Sequence, residues 1–415
     1  MFIFKISFRN LTRHKKRNFV IASIIAIAVF LYLISDSLVV GLEDLSYTNV
    51  IELQTGHIQL AGQHYWENKE DFDLDHLTVF SPSRLKKVNQ IDQVIAISPE
   101  FRFQAKLNNG IDEIPIIGKG IDPEQFQAVL TVNDYLREGK MITTGENQAL
   151  IGASLAQLMD FSLHDYLTLL IKTDTGTYNT IDAEIVGIID SPHPEVNSNT
   201  VFVPLDIAQK AHNVDDAMTL VKLKLTHRSK TDEIVQQINQ NIRKESDPWQ
   251  AYSWMEAAET VIAMNRAQKG ENAVILGIFL LIGIIGIINT VILSALERTR
   301  EIGMMKAMGM REWEIVMTFV LESGGIGLLG GFMGSALGAI GVALQTRYGY
   351  NMVGMLDEQT INDYGLPVMG RIYGGWNPQT FLFIFLLVII IAMIAGFFPA
   401  LWASRKDPVK AIYHR

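Results

Sequence analysis

Four apolar runs, at residues 19–40, 273–296, 315–344 and 380–403, constrain this 415-residue chain more than any other feature. The second holds 24 consecutive uncharged residues, about 36 Å of helix at ~1.5 Å per residue, enough to cross the ~30 Å hydrocarbon core of a bilayer. The third is long enough to tilt or to begin outside the hydrocarbon. Between the first two runs lies one long mixed-polarity segment, 42–272. The mean hydropathy of +0.19 averages these two kinds of sequence and describes neither. The expected fold is an α-helical membrane protein with four transmembrane helices and a large α+β domain inserted between helices 1 and 2.

Charge sets the expected orientation, because short flanks rich in Lys and Arg stay on the cytoplasmic side. Lys5, Arg9, Arg13, Lys15, Lys16 and Arg17 precede the first span, and Arg405, Lys406, Lys410 and Arg415 follow the last. Arg298, Arg300, Lys306 and Arg311 fill the short connector between the second and third. Both termini and the connector are therefore expected inside, and segment 42–272 outside. That segment carries 34 Asp+Glu against 19 Lys+Arg, a net of −15, so the overall charge of −9 comes from it and offers nothing to nucleic acid. The first apolar run exceeds a signal-peptide core and lacks a small-x-small cleavage site, which makes it a retained anchor. The absence of cysteine is compatible with a periplasmic location.

Along the chain, residues 1–17 place Phe4, Phe8 and Leu11 on one helical face, the pattern of an interfacial helix ahead of transmembrane helix 18–41. In the outer segment Phe101, Phe103, Ala105 and Leu107 alternate with polar residues, and Asn108-Asn109-Gly110 supplies a hairpin turn. Asp122 before Pro123 reads as an N-cap and first helical position. Strands are expected at 149–152, 167–172, 181–186, 201–204 and 221–225, and helices at 153–159 and 231–243. The middle of the domain, about 121–204, is expected to be β-rich. From Ser253 the chain reads as helix into the second span, with Gly270 as a possible bend.

The connector 297–314 is expected to be a short cytoplasmic coupling helix. Ile302, Met305 and Met308 recur at i, i+3 and i+6, with Arg298, Arg300, Glu301 and Lys306 around them. In the third span Gly330, Gly334 and Gly338 overlap a second series, Gly327 and Gly331. Small residues at that spacing let helices approach closely in lipid, either within one subunit or between two. Glu322 and Asp36 are carboxylates within spans, each close enough to an interface to be hydrated, which argues against a proton relay. Val39, Val40 and Leu42, with Val261, Ile262 and Met264, form a candidate apolar path for cargo at the outer leaflet; the alternative is that they only pack two helices together.

No catalytic site, cofactor site or metal site is legible. The chain has no G-x-x-x-x-G-K-[ST] loop, and Gly118-Lys119-Gly120 lacks its upstream glycine, so ATP and Mg would be held by another subunit. The nine histidines are scattered, with His57 and His64 read as surface residues. The carboxylates of the outer domain read as a solvated acidic surface.

The signature 297–309, the helix after it with Glu322 and its glycines, the closing Pro399-Ala-Leu-Trp-Ala-Ser-Arg and Asp407-Pro-Val-Lys-Ala, and the layout of the whole chain resemble one group of ABC transporter permeases. That group includes FtsX-type, MacB-type and lipoprotein-releasing (Lol-type, LolC/LolE-like) permeases. The resemblance implies a MacB-like periplasmic core at 42–272 and an FtsX-like permease domain at 273–415. It implies a dimer, with an identical or paralogous second permease, that recruits a separate cytoplasmic ATPase in a bacterial inner membrane and acts by mechanical transmission. Glu322 is then a structural partner of the connector through Arg298 or Arg300. Glu52-Leu-Gln-Thr-Gly-His-Ile-Gln-Leu60 is similar to Lol-type permeases, so lipoprotein release toward the outer membrane is the expected activity. MacB-like efflux of peptides or amphiphilic drugs is the alternative. FtsX-like regulation of cell-wall hydrolases is a third, disfavoured by the size of 42–272. Lol-type subunits capture a periplasmic carrier with a long hairpin extension, whereas the tip here, 173–180, is short.

Overall fold

The computed structural model describes residues 15–63, 88–173, 176–214, 216–245, 249–351 and 371–405, with the isolated positions 7, 9, 13, 65, 78, 79 and 85. The expected interfacial helix with Phe4, Phe8 and Leu11, His64, and the closing 407–411 motif lie outside the described residues. The chain divides into two compact units, one containing residues up to Asp44, Ala263–Asn351 and Arg371 onward, the other Leu45–Ile262.

In chain order, α1 (Lys15–Val50) ends in a turn of π-helix (Ile51–Thr55) and leads to β1 (Ile58–Gly62). The hairpin β2 (Val94–Asn108) and β3 (Glu113–Ile121) precedes α2 (Pro123–Val129), β4 (Leu136–Gly139), β5 (Gln148–Gly152) and α3 (Ala153–Leu158). There follow β6 (Tyr166–Lys172), β7 (Tyr178–Ile189), α4 (Pro194–Asn199), β8 (Thr200–Pro204) and α5 (Leu205–His212). β9 (Leu220–Leu225), α6 (Thr231–Glu245) and β10 (Trp249–Ser253) close the domain. Then come α7 (Glu259–Glu297), α8 (Thr299–Ala307), α9 (Glu312–Tyr348) and α10 (Pro378–Ser404).

Helices α1, α7, α9 and α10 are each long and apolar enough to span a membrane. Their shared core contains Ile25, Val29 and Leu33 of α1, Ile287 and Val291 of α7, Phe319 and Ile326 of α9, and Val388 and Ala392 of α10. The glycines of α9 divide between two neighbours in the same chain. A Cβ on Gly334 would lie 2.7 Å from the Ala26 carbonyl oxygen of α1, and one on Gly327 would lie 2.6 Å from the Ala392 Cβ of α10. Gly330 and Gly338 also face α1, and Gly331 faces Phe385 of α10. Packing within the subunit therefore uses both series.

The outer unit is built on one ten-stranded sheet in the order β10-β1-β9-β2-β3-β8-β5-β7-β4. β6 pairs with both β2 and β7, which closes β2, β3, β8, β5, β7 and β6 into a six-stranded ring. Phe101, Phe103, Ala105 and Leu107 fill it along with Leu169, Ile181 and Val201, as their alternation requires. The ring draws in strands from residue 94 onward, so strand pairing sets no boundary at 121. The hairpin turn and the α2 cap form as read: Gly110 has φ 88°, and the Asp122 carboxylate accepts from the Glu124 and Gln125 amides.

The continuous helix expected from Ser253 is interrupted. Ser253 caps a short helix, Trp254–Ala257, in a capping box with Glu256, and Ala258 ends it before α7 begins. Trp254 anchors this corner in a cluster with Val50, Ile51 and Ala258. α7 then runs helical through Gly270.

Candidate functional site

The connector forms α8, nine residues between two spans, and its two faces have different environments. Ile302 is 4% exposed and joins the core of the spans, Gly303 is buried, and Met305 packs against the same core. Met308 is 80% exposed, Met304 50% and, at the start of α9, Trp313 60%. The expectation that Ile302, Met305 and Met308 share one docking face is thus corrected. Steps of i and i+6 lie about 120° apart on a helix at ~3.6 residues per turn, and α8 has ended at Ala307, with Gly309 left-handed at φ 91°. Ile302 and Met305 hold α8 to the spans, while Met308 and the unforeseen Met304 and Trp313 face outward. Counting the 100° phase from Ile302 would have separated them.

A chain of ion pairs fixes α8. Arg298 Nη1 reaches Glu322 Oε2 at 3.4 Å and Arg298 Nε reaches Glu301 Oε2 at 3.1 Å. Arg13 meets Glu301 at 2.8 Å, Arg17 meets Glu297 at 3.0 Å, and Lys306 meets Glu312 at 3.2 Å. Partial burial raises the Glu301 carboxyl, and the Arg13 and Arg298 charges outweigh it, leaving the group below its ordinary value. Of the two arginines considered for Glu322, the structure selects Arg298; Arg300 is exposed.

The candidate cargo residues fall into separate settings. Val39, Val40 and Leu42 are half-buried on α1, where Val40 packs close against Gly375. Val261 and Ile262 pack on the cluster of Val50, Ile51, Trp254 and Ala258, so at these two positions helix packing is the role observed. Met264 is exposed.

The acidic outer domain hides a charged layer that sequence reading missed. Glu100 is fully buried, bonded to Arg102 Nε at 2.5 Å and to Lys222 Nζ. Lys119, also buried, reaches Glu195 Oε1 at 3.0 Å. Gln54, in the π-turn after α1, donates to Glu195 Oε2 at 2.8 Å. Burial pushes the Glu100 carboxyl up, but Lys222 and Arg102 reverse the shift and hold it at about 2. Burial drives Lys222 down to about 7, against the pull of Glu100. The expectation of a solvated acidic surface therefore fails at Glu100. The face of β2 opposite the ring interior is packed against α2 near Glu100, so from Ser98 to Phe103 both faces of the strand are dry, while Gln104 and Lys106 further along stay exposed. Lys119 of the Gly-Lys-Gly segment serves this layer. His57, expected at the surface, is half-buried, accepts from the Leu225 amide at 3.3 Å, and is lowered to about 4 by burial and the Lys224 and Arg228 charges. Among the described residues no cluster of His, Asp and Glu is arranged to hold a metal.

Residues 273–408 match the FtsX-like permease C-terminal domain model, and residues 19–241 match the MacB-like periplasmic core domain model. An uncharacterized ABC transporter permease of Methanocaldococcus jannaschii is 24% identical over 234 residues, 55% of this chain and 54% of that protein. The macrolide export ATP-binding/permease protein MacB of Bdellovibrio bacteriovorus is 22% identical over 386 residues, 88% of this chain and 53% of its own. The uncharacterized ABC transporter permease YknZ of Bacillus subtilis is 25% identical over 338 residues, 79% of this chain and 77% of that protein. The chain thus spans about half the length of the first two. Among solved structures, the periplasmic region of MacB from Actinobacillus actinomycetemcomitans aligns with TM-score 0.38 and 9% identity over 51% of this chain and 95% of that one. The extracellular domain of YknZ from Gram-positive bacteria aligns with TM-score 0.35 and 12% identity over 48% of this chain and 100% of that one.

Proposed function

The chain belongs to the ABC transporter permeases that join a MacB-like periplasmic core domain to an FtsX-like permease domain, and from this premise we propose that it is the permease subunit of a mechanotransmission transporter driven by a separate ATPase. The observation that carries the reading is the two-faced α8. Its inner face is keyed into the spans by Ile302 and Met305, and its outer face offers Met304, Met308 and Trp313. A cytoplasmic ATPase docked on that face, carrying ATP and Mg, would displace α8. The Arg298 pairs to Glu301 and Glu322 pass the displacement to α9, and α7, helical from Glu259 to Glu297, extends it along one span. Two such permeases, identical or paralogous, would work together, both termini cytoplasmic.

For cargo, amphiphilic molecules or peptides expelled on the periplasmic side are the better-supported class. The Bdellovibrio bacteriovorus relative is named a macrolide export protein. Residues 52–60, which resemble Lol-type permeases, are structural: Leu53, Thr55, Ile58, Gln59 and Leu60 are all buried in the π-turn and in β1. Lipoprotein release, with or without a periplasmic carrier, remains the second reading on the strength of that segment's similarity. The test is depletion in the host, with co-purification of the chain in mild detergent. Raised sensitivity to amphiphilic drugs with normally sorted lipoproteins supports export; lipoproteins retained in the inner membrane overturn it in favour of release. Absence of any co-purifying ATPase overturns the transporter reading itself.

A further inference from the structure

The buried charged layer of the outer unit does not balance. Its cations are the buried Arg102, Lys119 and Lys222, and its carboxylates are the buried Glu100 and, at its edge, Glu195, whose side chain is 30% exposed. His193, beside Glu195, adds no positive charge at neutral pH, because burial pushes it down to about 4. The Tyr65 hydroxyl, bonded to Arg102, is neutral as well, held above its ordinary value mainly by burial. Arg102 and Lys222 share the single carboxylate of Glu100. Lys119 shares Glu195 with the Gln54 amide. With Lys222 protonated, one positive charge is left over in a layer walled by Phe202 and Phe126, whose ring centroids lie 5.9 Å from Lys119 Nζ and 6.0 Å from Lys222 Nζ.

Two polar atoms mark where the excess resides. Arg102 is 8% exposed, and its buried Nη2 has no hydrogen-bond partner. His193 Nδ1 is buried and likewise unpartnered. Register places Arg102 directly across from Lys119 on the paired strand β3. Lys119 leads through Glu195 to the start of α4, which His193 precedes. An unpaired buried cationic donor is costly. Deprotonation of Lys222 could restore the charge count, but it would leave Arg102 Nη2 without an acceptor, and a guanidinium does not give up its own proton.

We propose that the Arg102–Lys119–His193 end of this layer binds one small monovalent anion of chloride size. The anion accepts from Arg102 Nη2 and from the Nδ1–H tautomer of His193, and neutralises the third cation. The aromatic walls and the neighbouring carboxylates exclude larger or more highly charged anions. Bound there, it stiffens the joint at which the π-turn, through Gln54 and Glu195, meets the sheet. The inference is independent of the cargo.

The full-length chain in detergent tests it, unfolded thermally at pH 7 in chloride and in gluconate of equal ionic strength. Chloride should raise the midpoint saturably by about 2–4 °C, and Arg102→Gln should abolish the difference. Equal midpoints in the two salts for the wild type overturn the proposal, as does a chloride effect undiminished in Arg102→Gln. Should that variant fail to fold, bromide-soaked crystals of the wild type decide: an anomalous peak within hydrogen-bonding reach of Arg102 Nη2 supports the site, and its absence there overturns it.

Discussion

The guanidinium of Arg298 lies 3.4 Å from the carboxylate of Glu322, joining the start of α8 to the interior of α9 at a point where both side chains are buried. Removing Arg298 takes this countercharge from the buried Glu322, and removing Glu322 leaves Arg298 with Glu301 alone, so either single loss costs more than its share of removing both. Arg298→Met and Glu322→Met should each lower the unfolding midpoint in detergent, and the double substitution should lower it by less than the two losses combined. Additive losses would show that the pair is not coupled.

The two faces of α8 should respond differently to charge. Met308→Glu should leave the protein inserted and folded while reducing association with its ATPase, read by co-purification. Ile302→Glu places a carboxylate in the core of the spans and should lower folded yield. Loss of folding with Met308→Glu, or a well-folded Ile302→Glu, would reverse the facial assignment.

At Gly334 a side chain meets the α1 backbone of the same subunit. Gly334→Val should destabilise the isolated subunit by about 1–3 kcal/mol, the usual cost of overpacking. Unfolding in detergent and native mass spectrometry separate the possibilities: a dissociated dimer with unaltered subunit stability would place the glycine at an interface between subunits instead.

The charged layer makes stability depend on pH. Lys222 titrates at about 7 in the fold and near 10.5 when unfolded, so between those values the unfolded chain binds more protons and stability rises with pH. Below about 7 this gain is absent. Glu100, held at about 2 against an ordinary 4.5, acts at the acid end, where stability is lost as pH falls from 4.5 toward 2. In halide-free buffer the unfolding midpoint of the full chain should climb from pH 7 to 9, and Lys222→Met should flatten the climb.

Reporter fusions test the sidedness on which the docking proposal depends. A fusion after Lys172 should report the outside and one after Arg311 the inside, because the Lys/Arg-rich flanks then all fall on one side. The opposite signals would remove α8 from the cytoplasm.

The membrane architecture was legible along the chain because a bilayer imposes a one-dimensional demand: about 20 apolar residues in a row, with basic flanks, identify a span without reference to anything distant. The same holds for local devices such as the Asp122 cap and the turn at Gly110, which act through neighbours in sequence. Alternation at 101–107 likewise identified the residues that fill the ring. What alternation could not reveal was the fate of the opposite face. Glu100 and Arg102 read as solvent-facing until packing from residues distant in sequence covers them, and Lys222, 122 positions away, supplies the countercharge. The glycine series had two readings until tertiary contact assigned Gly334 to α1 and Gly327 to α10. The roles of Ile302 and Met308 parted for the same reason: hydrophobicity states that a side chain avoids water, and only the surrounding helices decide whether it does so by burial in its own subunit or waits, exposed, for a partner.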